Sequence, residues 1–164
     1  MGNVYKDEIT KLLRAYVEIG TFAIPPMSHK HGREECLKLE NDEGQCRADF
    51  CYYIRPSGRL FIEDDDSPRG LNNLVKYWRW SRLNEDIHPV YLVHILNTDR
   101  GVWANHCKFI GMRMEEEMGR KKFRYLPMSV DNKWHDHETW LPHLKNILDE
   151  VSQARTCGAS AGAH

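Results

Sequence analysis

Asp49, Glu63 and Asp65 are the residues whose types and spacing best suit chemistry in this sequence. Asp49 opens an apolar run, and Glu63 and Asp65 close a second run after the Pro-Ser-Gly turn at 56–58. Because side chains alternate along a strand, Glu63 and Asp65 are expected on one face, with Asp49 beside them on the neighbouring strand. Three carboxylates so close repel one another unless protons or a cation intervene. Oxygen ligands of this kind suit Mg²⁺ or Mn²⁺, so the spacing predicts a site for a hard divalent ion.

The same acids have a simpler interpretation. Residues 63–66 are four consecutive acids, a run typical of a solvated strand end. Acids directly before a helix are also stabilised by the positive end of the helix dipole. The spacing alone leaves both interpretations open.

The elements that position these acids follow from hydrophobic periodicity and turn residues. Helices are predicted over 3–20, 68–82, 103–118 and 136–154, and strands over 36–40, 49–55, 59–65, 89–96 and 122–130, with 27–35 as a loop. Ser67 is expected to cap the second helix, and Pro68 to occupy its first position. Strands separated by helices after Pro68 require crossover connections, which predicts a mixed sheet. The predicted fold class is therefore α/β, with a mixed central β-sheet flanked by helices.

Composition limits the size and the setting of the fold. At 164 residues the chain suits one domain, predicted over 1–154, followed by a flexible C-terminal tail over 155–164. No apolar run approaches the ~20 residues needed to cross a bilayer, so no membrane partner is expected. The net charge of −1 weighs against a protein that coats nucleic acid nonspecifically. The start of the chain has no hydrophobic signal core and the five cysteines form no CxxC pair, which favours the reducing cytoplasm.

Residues 49–65, DFCYYIRPSGRLFIEDD, resemble the core of the PD-(D/E)xK nuclease superfamily, the restriction-endonuclease-like fold. In that family an Asp opens one strand and a (D/E)xK tripeptide closes the next. The predicted order of elements is also similar to the family's αβββαβ core, over roughly residues 3–97. The resemblance implies a Mg²⁺- or Mn²⁺-dependent endonuclease that hydrolyses phosphodiester bonds of DNA. It also implies that Asp49 and Glu63 are metal ligands.

The sequence departs from the family motif at one important position. Asp65 stands where the family has a lysine that polarises the attacking water, and an acid cannot supply that positive charge. Either the chain is an inactive member, serving as a nucleic-acid-binding or protein-assembly module, or another residue supplies the lysine. Asp65 would assist catalysis in an active site or mark the decay of an inactive one. Lys76 is the nearest candidate, because some members take this lysine from the helix after the hairpin. A helical projection nevertheless places Lys76 about 140° from Leu71, away from the predicted apolar stripe.

Three further residues carry predictions. Many members of the family have an acid on the first helix, and Glu8, which flanks the apolar stripe there, is the matching metal-side acid; an exposed surface charge is the alternative.

Trp80 is expected opposite the stripe formed by Leu71, Leu74, Val75 and Trp78. If exposed, it would favour a surface for nucleic acid or for a second copy of the chain in a homodimer. His94 is expected to be a hydrogen-bonded core histidine, with a catalytic role as the alternative.

A zinc-stabilised interaction domain is a third hypothesis. It would use His29, His31, Cys36 and Cys46 as ligands. Their spacing matches no common zinc finger or ribbon, and free cysteines are usually buried. The acids and histidines at 135–138 suit a helix N-terminus, where acids are favoured without a metal.

Overall fold

The computed structural model describes residues 2–25, 32–36, 47–96, 102–131 and 136–159. Its helices and strands are α1 (Gly2–Glu18), β1 (Arg33–Cys36), β2 (Arg47–Ile54), β3 (Gly58–Asp65), α2 (Gly70–Leu83), β4 (Val90–Leu96), α3 (Trp103–Met118), β5 (Phe123–Ser129) and α4 (His137–Ala159). The chain divides into two compact units, a helical unit of Met1–Thr21 with Lys133–His164 and a sheet unit of Phe22–Asn132. The α/β class is confirmed. The prediction of one domain over 1–154 stays a prediction.

The sheet unit contains a mixed five-stranded sheet in the order β1-β2-β3-β4-β5. Its first three strands pair antiparallel, whereas β3, β4 and β5 run parallel. The two parallel pairings need the crossovers that α2 and α3 provide. The predicted mixed sheet is therefore confirmed, and Pro127 lies in an edge strand, as its missing N–H predicts.

Helices α2 and α3 pack with one face of the sheet around a shared core. Phe61 of β3 is central to it, with its ring centroid 4.9 Å from that of Tyr77 and 5.0 Å from that of Trp80. Leu92 and Phe123 extend this core across β4 and β5. Strand β4 is buried along its whole length, as its continuous apolar sequence predicts.

The first strand lies earlier than predicted. Arg33–Cys36 forms β1 and pairs with β2, so the last three residues of the predicted loop are extended, and the strand shares only Cys36 with the predicted strand 36–40. The charged sequence Arg-Glu-Glu-Cys hid this strand, because an edge strand tolerates charged residues that a central strand does not. Residues 37–40 of the predicted strand lie outside the described residues.

Helix α2 begins later and is rotated relative to the prediction. Gly70 is its first residue after the N-cap Arg69, so Ser67 and Pro68 precede the helix and form a turn in which the Ser67 carbonyl accepts from Gly70 N. Trp80 is only 6% exposed and Val75 is 58% exposed, the reverse of the expected stripe. The projection was wrong because it counted only aliphatic residues and Trp78 as the buried face. It left out Tyr77, which packs on Phe61.

The helical unit is formed by α1 and α4. The Tyr16 hydroxyl donates to Asp149 Oδ1 at 2.6 Å, and the rings of Tyr5 and Trp140 lie with centroids 4.7 Å apart. Both helices were predicted from periodicity. Helix α4 continues to Ala159 rather than ending at 154, and residues 160–164 of the predicted tail lie outside the described residues.

Candidate functional site

The β2–β3 hairpin brings Asp49 and Glu63 together. Phe50 pairs with Ile62 in this antiparallel ladder, which places Asp49 and Glu63 side by side one step further along. The backbone N–H of Asp49 donates to Glu63 Oε2 at 3.3 Å, and the N–H of Asp64 donates to Asp49 Oδ2 at 3.1 Å. Each carboxylate is thus held by the main chain near the other.

Glu63 is a buried acid with a positive partner. Lys76 Nζ lies 2.9 Å from Glu63 Oε1, and the Tyr77 hydroxyl donates to Glu63 Oε2. Burial, followed by the charge of Asp49, raises the pKa of Glu63, although Lys76 and Tyr77 act to lower it. Burial next to this carboxylate also raises the pKa of Tyr77 well above its ordinary value, which keeps its hydroxyl a hydrogen-bond donor.

Lys76 does not lie on a solvated face, and the projection that placed it there was wrong. Its side chain is 9% exposed, and it crosses from α2 to the open end of the hairpin. Besides Glu63, its ammonium group donates to the carbonyl of Arg47 at 2.6 Å and to Asn73 Oδ1 at 3.2 Å. The rotation of α2 that buries Tyr77 carries the neighbouring Lys76 to the open end of the β2–β3 hairpin.

Asp65 has a different set of partners from Glu63. Asn73 Nδ2 donates to both carboxylate oxygens of Asp65, at 2.8 and 3.0 Å. Asp65 Oδ2 also lies 2.7 Å from Nε2 of His94, in a pair whose side chains are 7% and 1% exposed. Asp65 therefore occupies a buried polar cluster next to the Asp49–Glu63 pair, in contact with α2 and β4.

His94 joins this cluster to the last strand. Its Nδ1 lies 3.0 Å from the hydroxyl of Tyr125 on β5, while its Nε2 faces Asp65. Both ring nitrogens have partners, as expected of a hydrogen-bonded core histidine. Burial is the main cause that raises the pKa of Tyr125, with contributions from Cys107 and Asp65.

Three residues of the site were not assigned a role from the sequence. Asn73 and Tyr77 are on α2, and Tyr125 is on β5. The available signal was the position of Asn73, three residues before Lys76 and four before Tyr77, since residues three or four apart on a helix are neighbours. Tyr125 gave no local signal, because only the parallel pairing of β4 with β5 brings it to His94.

The remaining predicted ligands are placed as follows. Glu8 lies on α1 in the helical unit, where its carboxylate accepts from Lys11 Nζ at 2.6 Å. Cys36 is the last residue of β1, whereas His29, His31 and Cys46 lie outside the described residues. Within the described ranges, no group of three or more His, Cys, Asp or Glu side chains is arranged to hold a metal ion.

Comparisons with protein-family models, with curated proteins and with solved structures find no match to this chain. In the part of the chain that the structure describes, no helix is both long and apolar enough to span a membrane. The functional conclusion therefore depends on the chemistry of the Asp49–Glu63–Lys76 site and of the cluster beside it.

Proposed function

We propose that this protein is a metal-dependent phosphodiesterase that acts on DNA, with a PD-(D/E)xK-type site whose lysine is supplied by α2. Asp49 and Glu63 would hold the metal ion, and Lys76 would position the attacking water. The observation that supports this most directly is the 2.9 Å contact of Lys76 Nζ with Glu63 Oε1, beside Asp49. This contact brings a lysine to the two acids at the open end of the hairpin, although Asp65 stands at the lysine position of the motif.

The residues present fit Mg²⁺ or Mn²⁺. Glu63 has a raised pKa chiefly because it is buried, and Asp49 adds a second negative charge beside it. A divalent cation would relieve this repulsion. Mg²⁺ usually takes only one or two protein carboxylates and completes its shell with water and phosphate oxygens, so a two-acid site suffices. When bound, the ion would lower the pKa of a water molecule and neutralise charge on the phosphate.

Lys76 would supply the positive charge that orients a water molecule or a phosphate oxygen. Its three N–H donors are matched by three acceptors, the oxygens of Arg47, Glu63 and Asn73. Exchange of the Arg47 carbonyl for a water or phosphate oxygen would leave the other two contacts in place. Lys76 would then hold the incoming oxygen next to Glu63.

Exposed basic residues beside the site support a polyanionic substrate. Arg47, Arg69 and Arg79 are exposed, at the start of β2, before α2 and within α2 respectively. Phosphate contacts made by such residues give affinity that falls steeply as the salt concentration rises. DNA binding that weakens strongly between about 50 and about 200 mM salt, the range over which this effect is typically seen, would agree with this assignment.

A second candidate is a non-catalytic module of the same fold, for nucleic-acid binding or protein assembly. One observation favours it: Lys76, Tyr77 and the N–H of Asp49 already donate to the Glu63 carboxylate. In this case the network would stabilise the connection between β3 and α2. It would bind no ion.

Plasmid nicking with Mg²⁺ or Mn²⁺ separates the two candidates. The wild type should nick DNA, and Asp49→Asn and Glu63→Gln should each lower the rate by about 100-fold or more, as loss of a group that stabilises the transition state does. Asp86→Asn is the control, because Asp86 is an exposed acid after α2.

Thermal melting tests ion binding without catalysis. Mg²⁺ should raise the melting temperature of the wild type and should not do so in Asp49→Asn, because only a site that binds the ion in the native state is stabilised by it. Nicking that is equal in the wild type and in both acid variants would indicate a contaminant. The absence of both nicking and a Mg²⁺-dependent shift would favour the non-catalytic module.

A further inference from the structure

Asn73 links the Asp65 cluster to the Asp49–Glu63–Lys76 site. Its Nδ2 donates to Asp65 at 2.8 and 3.0 Å, and its Oδ1 accepts from Lys76 Nζ at 3.2 Å. One amide therefore contacts both the acid at the motif's lysine position and the lysine that lies on α2.

The chemistry of its two neighbours fixes the orientation of this amide. An ionised carboxylate only accepts hydrogen bonds, and a lysine ammonium only donates them. The Asn73 nitrogen must therefore face Asp65 and its oxygen must face Lys76, because the reversed amide would oppose donor to donor and acceptor to acceptor. A different side chain at position 65 would remove half of this constraint.

Asp65 is itself held firmly. His94 Nε2 lies 2.7 Å from Asp65 Oδ2, and His94 Nδ1 is held by the Tyr125 hydroxyl at 3.0 Å. Gly70 allows α2 to come close to this acid, since a Cβ at position 70 would lie 3.1 Å from Asp65 Oδ2. Asp65 is thus fixed from β4 on one side and approached by α2 on the other.

We propose that Asp65 and Asn73 are positioning residues for Lys76: Asp65, anchored by His94, orients the Asn73 amide, whose oxygen holds the Lys76 ammonium group beside Glu63. This assigns a constructive role to the acid that replaces the motif's lysine. The relevance of this role to hydrolysis rests on the proposed function, whereas the positioning itself does not require activity.

Reductive methylation of lysine by formaldehyde and borohydride, quantified by peptide mass spectrometry, tests the inference without metal or DNA. Lys11 is the internal reference, because its side chain is 68% exposed. Relative to Lys11, Lys76 should react about tenfold faster in Asp65→Asn and in Asn73→Ala than in the wild type, since each variant weakens a hydrogen bond to a charged group. Asn72→Ala is the matched control, with an exposed asparagine one position earlier on α2, and should change the ratio less than about twofold.

The reciprocal exchange D65N/N73D provides the rescue. The amide introduced at position 65 could donate to the carboxylate introduced at position 73 and accept from His94. That carboxylate could in turn accept from Lys76, so every donor again meets an acceptor. Lys76 protection should return to within about twofold of the wild type or better, because the hydrogen bonds to the ammonium group are restored. A purely structural loss at either position would not be repaired by swapping the two groups.

Three outcomes are decisive. Equal Lys76 reactivity in folded Asn73→Ala and Asn72→Ala would overturn the inference, and so would an exchange variant that stays as reactive as Asp65→Asn. If Asp65→Asn does not fold, the comparison of Lys76 reactivity in Asn73→Ala and Asn72→Ala still tests whether Asn73 positions Lys76. The expected protection pattern in a protein that neither nicks DNA nor responds to Mg²⁺ would support the positioning role and reject the proposed hydrolysis.

Discussion

Replacement of Lys76 by methionine is the most informative perturbation of the site. Methionine keeps an unbranched apolar stem but removes the ammonium group that contacts Glu63 Oε1 at 2.9 Å. The two side chains are 9% and 6% exposed, so Glu63 would be left as a buried acid without its positive partner. Removing one member of a buried pair typically costs about 3–5 kcal/mol, and Lys76 is near the surface, so a loss of about 3 kcal/mol of unfolding free energy is expected.

The cost should depend on pH. The folded-state pKa of Glu63 is raised above its ordinary value of 4.5, chiefly by burial. Its contribution to stability is therefore complete below that ordinary value and is lost as the pH rises through the raised one. Lys76 acts to lower the pKa of Glu63, so its removal should raise that pKa further. The stability that is lost as the pH rises should therefore be larger in Lys76→Met than in the wild type. Lys76→Met should consequently be more destabilising at about pH 7 than at about pH 4.5, because this stability contribution is lost as the pH rises above the ordinary pKa.

Urea denaturation at the two pH values measures the effect, and Glu63→Gln completes a double-mutant cycle. In the Glu63→Gln background, Lys76→Met should cost at least about 1 kcal/mol less, because no buried charge is left unpaired. Arg113→Met is the control, since Arg113 and Glu116 form an exposed pair whose loss should cost less than about 1 kcal/mol. The reasoning is refuted if Lys76→Met is no more costly than the control, or if its cost is the same with and without Glu63.

Three further predictions test the surroundings of the site. Gly111→Ala should lower the unfolding free energy by roughly 2 kcal/mol in urea denaturation, because a Cβ there would overlap the Tyr125 ring; an unchanged value would contradict this packing. Nitrogen-15 NMR should find a proton on Nε2 of His94, the nitrogen that faces the Asp65 carboxylate, and protonation at Nδ1 alone would contradict the hydrogen-bond assignment. Burial raises the pKa of the Cys107 thiol to about 11. Iodoacetamide at about pH 8.5 should therefore label Cys107 roughly 100-fold more slowly in the native than in the denatured chain, and similar rates would show an accessible thiolate.

Local sequence patterns were sufficient for most elements and for one part of the site. Alternation along β2 and β3 and the turn at 56–58 predicted that Asp49 and Glu63 would be neighbours, because a hairpin's register is set by residues close in sequence. The continuous apolar run of β4 and the periodicity of α3 likewise predicted those elements, with α3 ending where expected. The charged strand β1 was predicted too late in the chain, over 36–40, because its conformation comes from pairing with β2 and not from its own residues.

The tertiary structure decided which groups complete the site. Packing of Tyr77 on Phe61 sets the rotation of α2 about its axis, and that rotation brings Lys76 to Glu63 and Asn73 to Asp65. Parallel pairing of β3 with β4 places His94 beside Glu63 in the ladder, within reach of Asp65. These contacts join residues from separate elements through side-chain packing and crossover connections, so no local period in the sequence records them. The sequence by itself therefore determined the acidic hairpin, and only the folded chain determined where the lysine, the amide and the histidine lie around it.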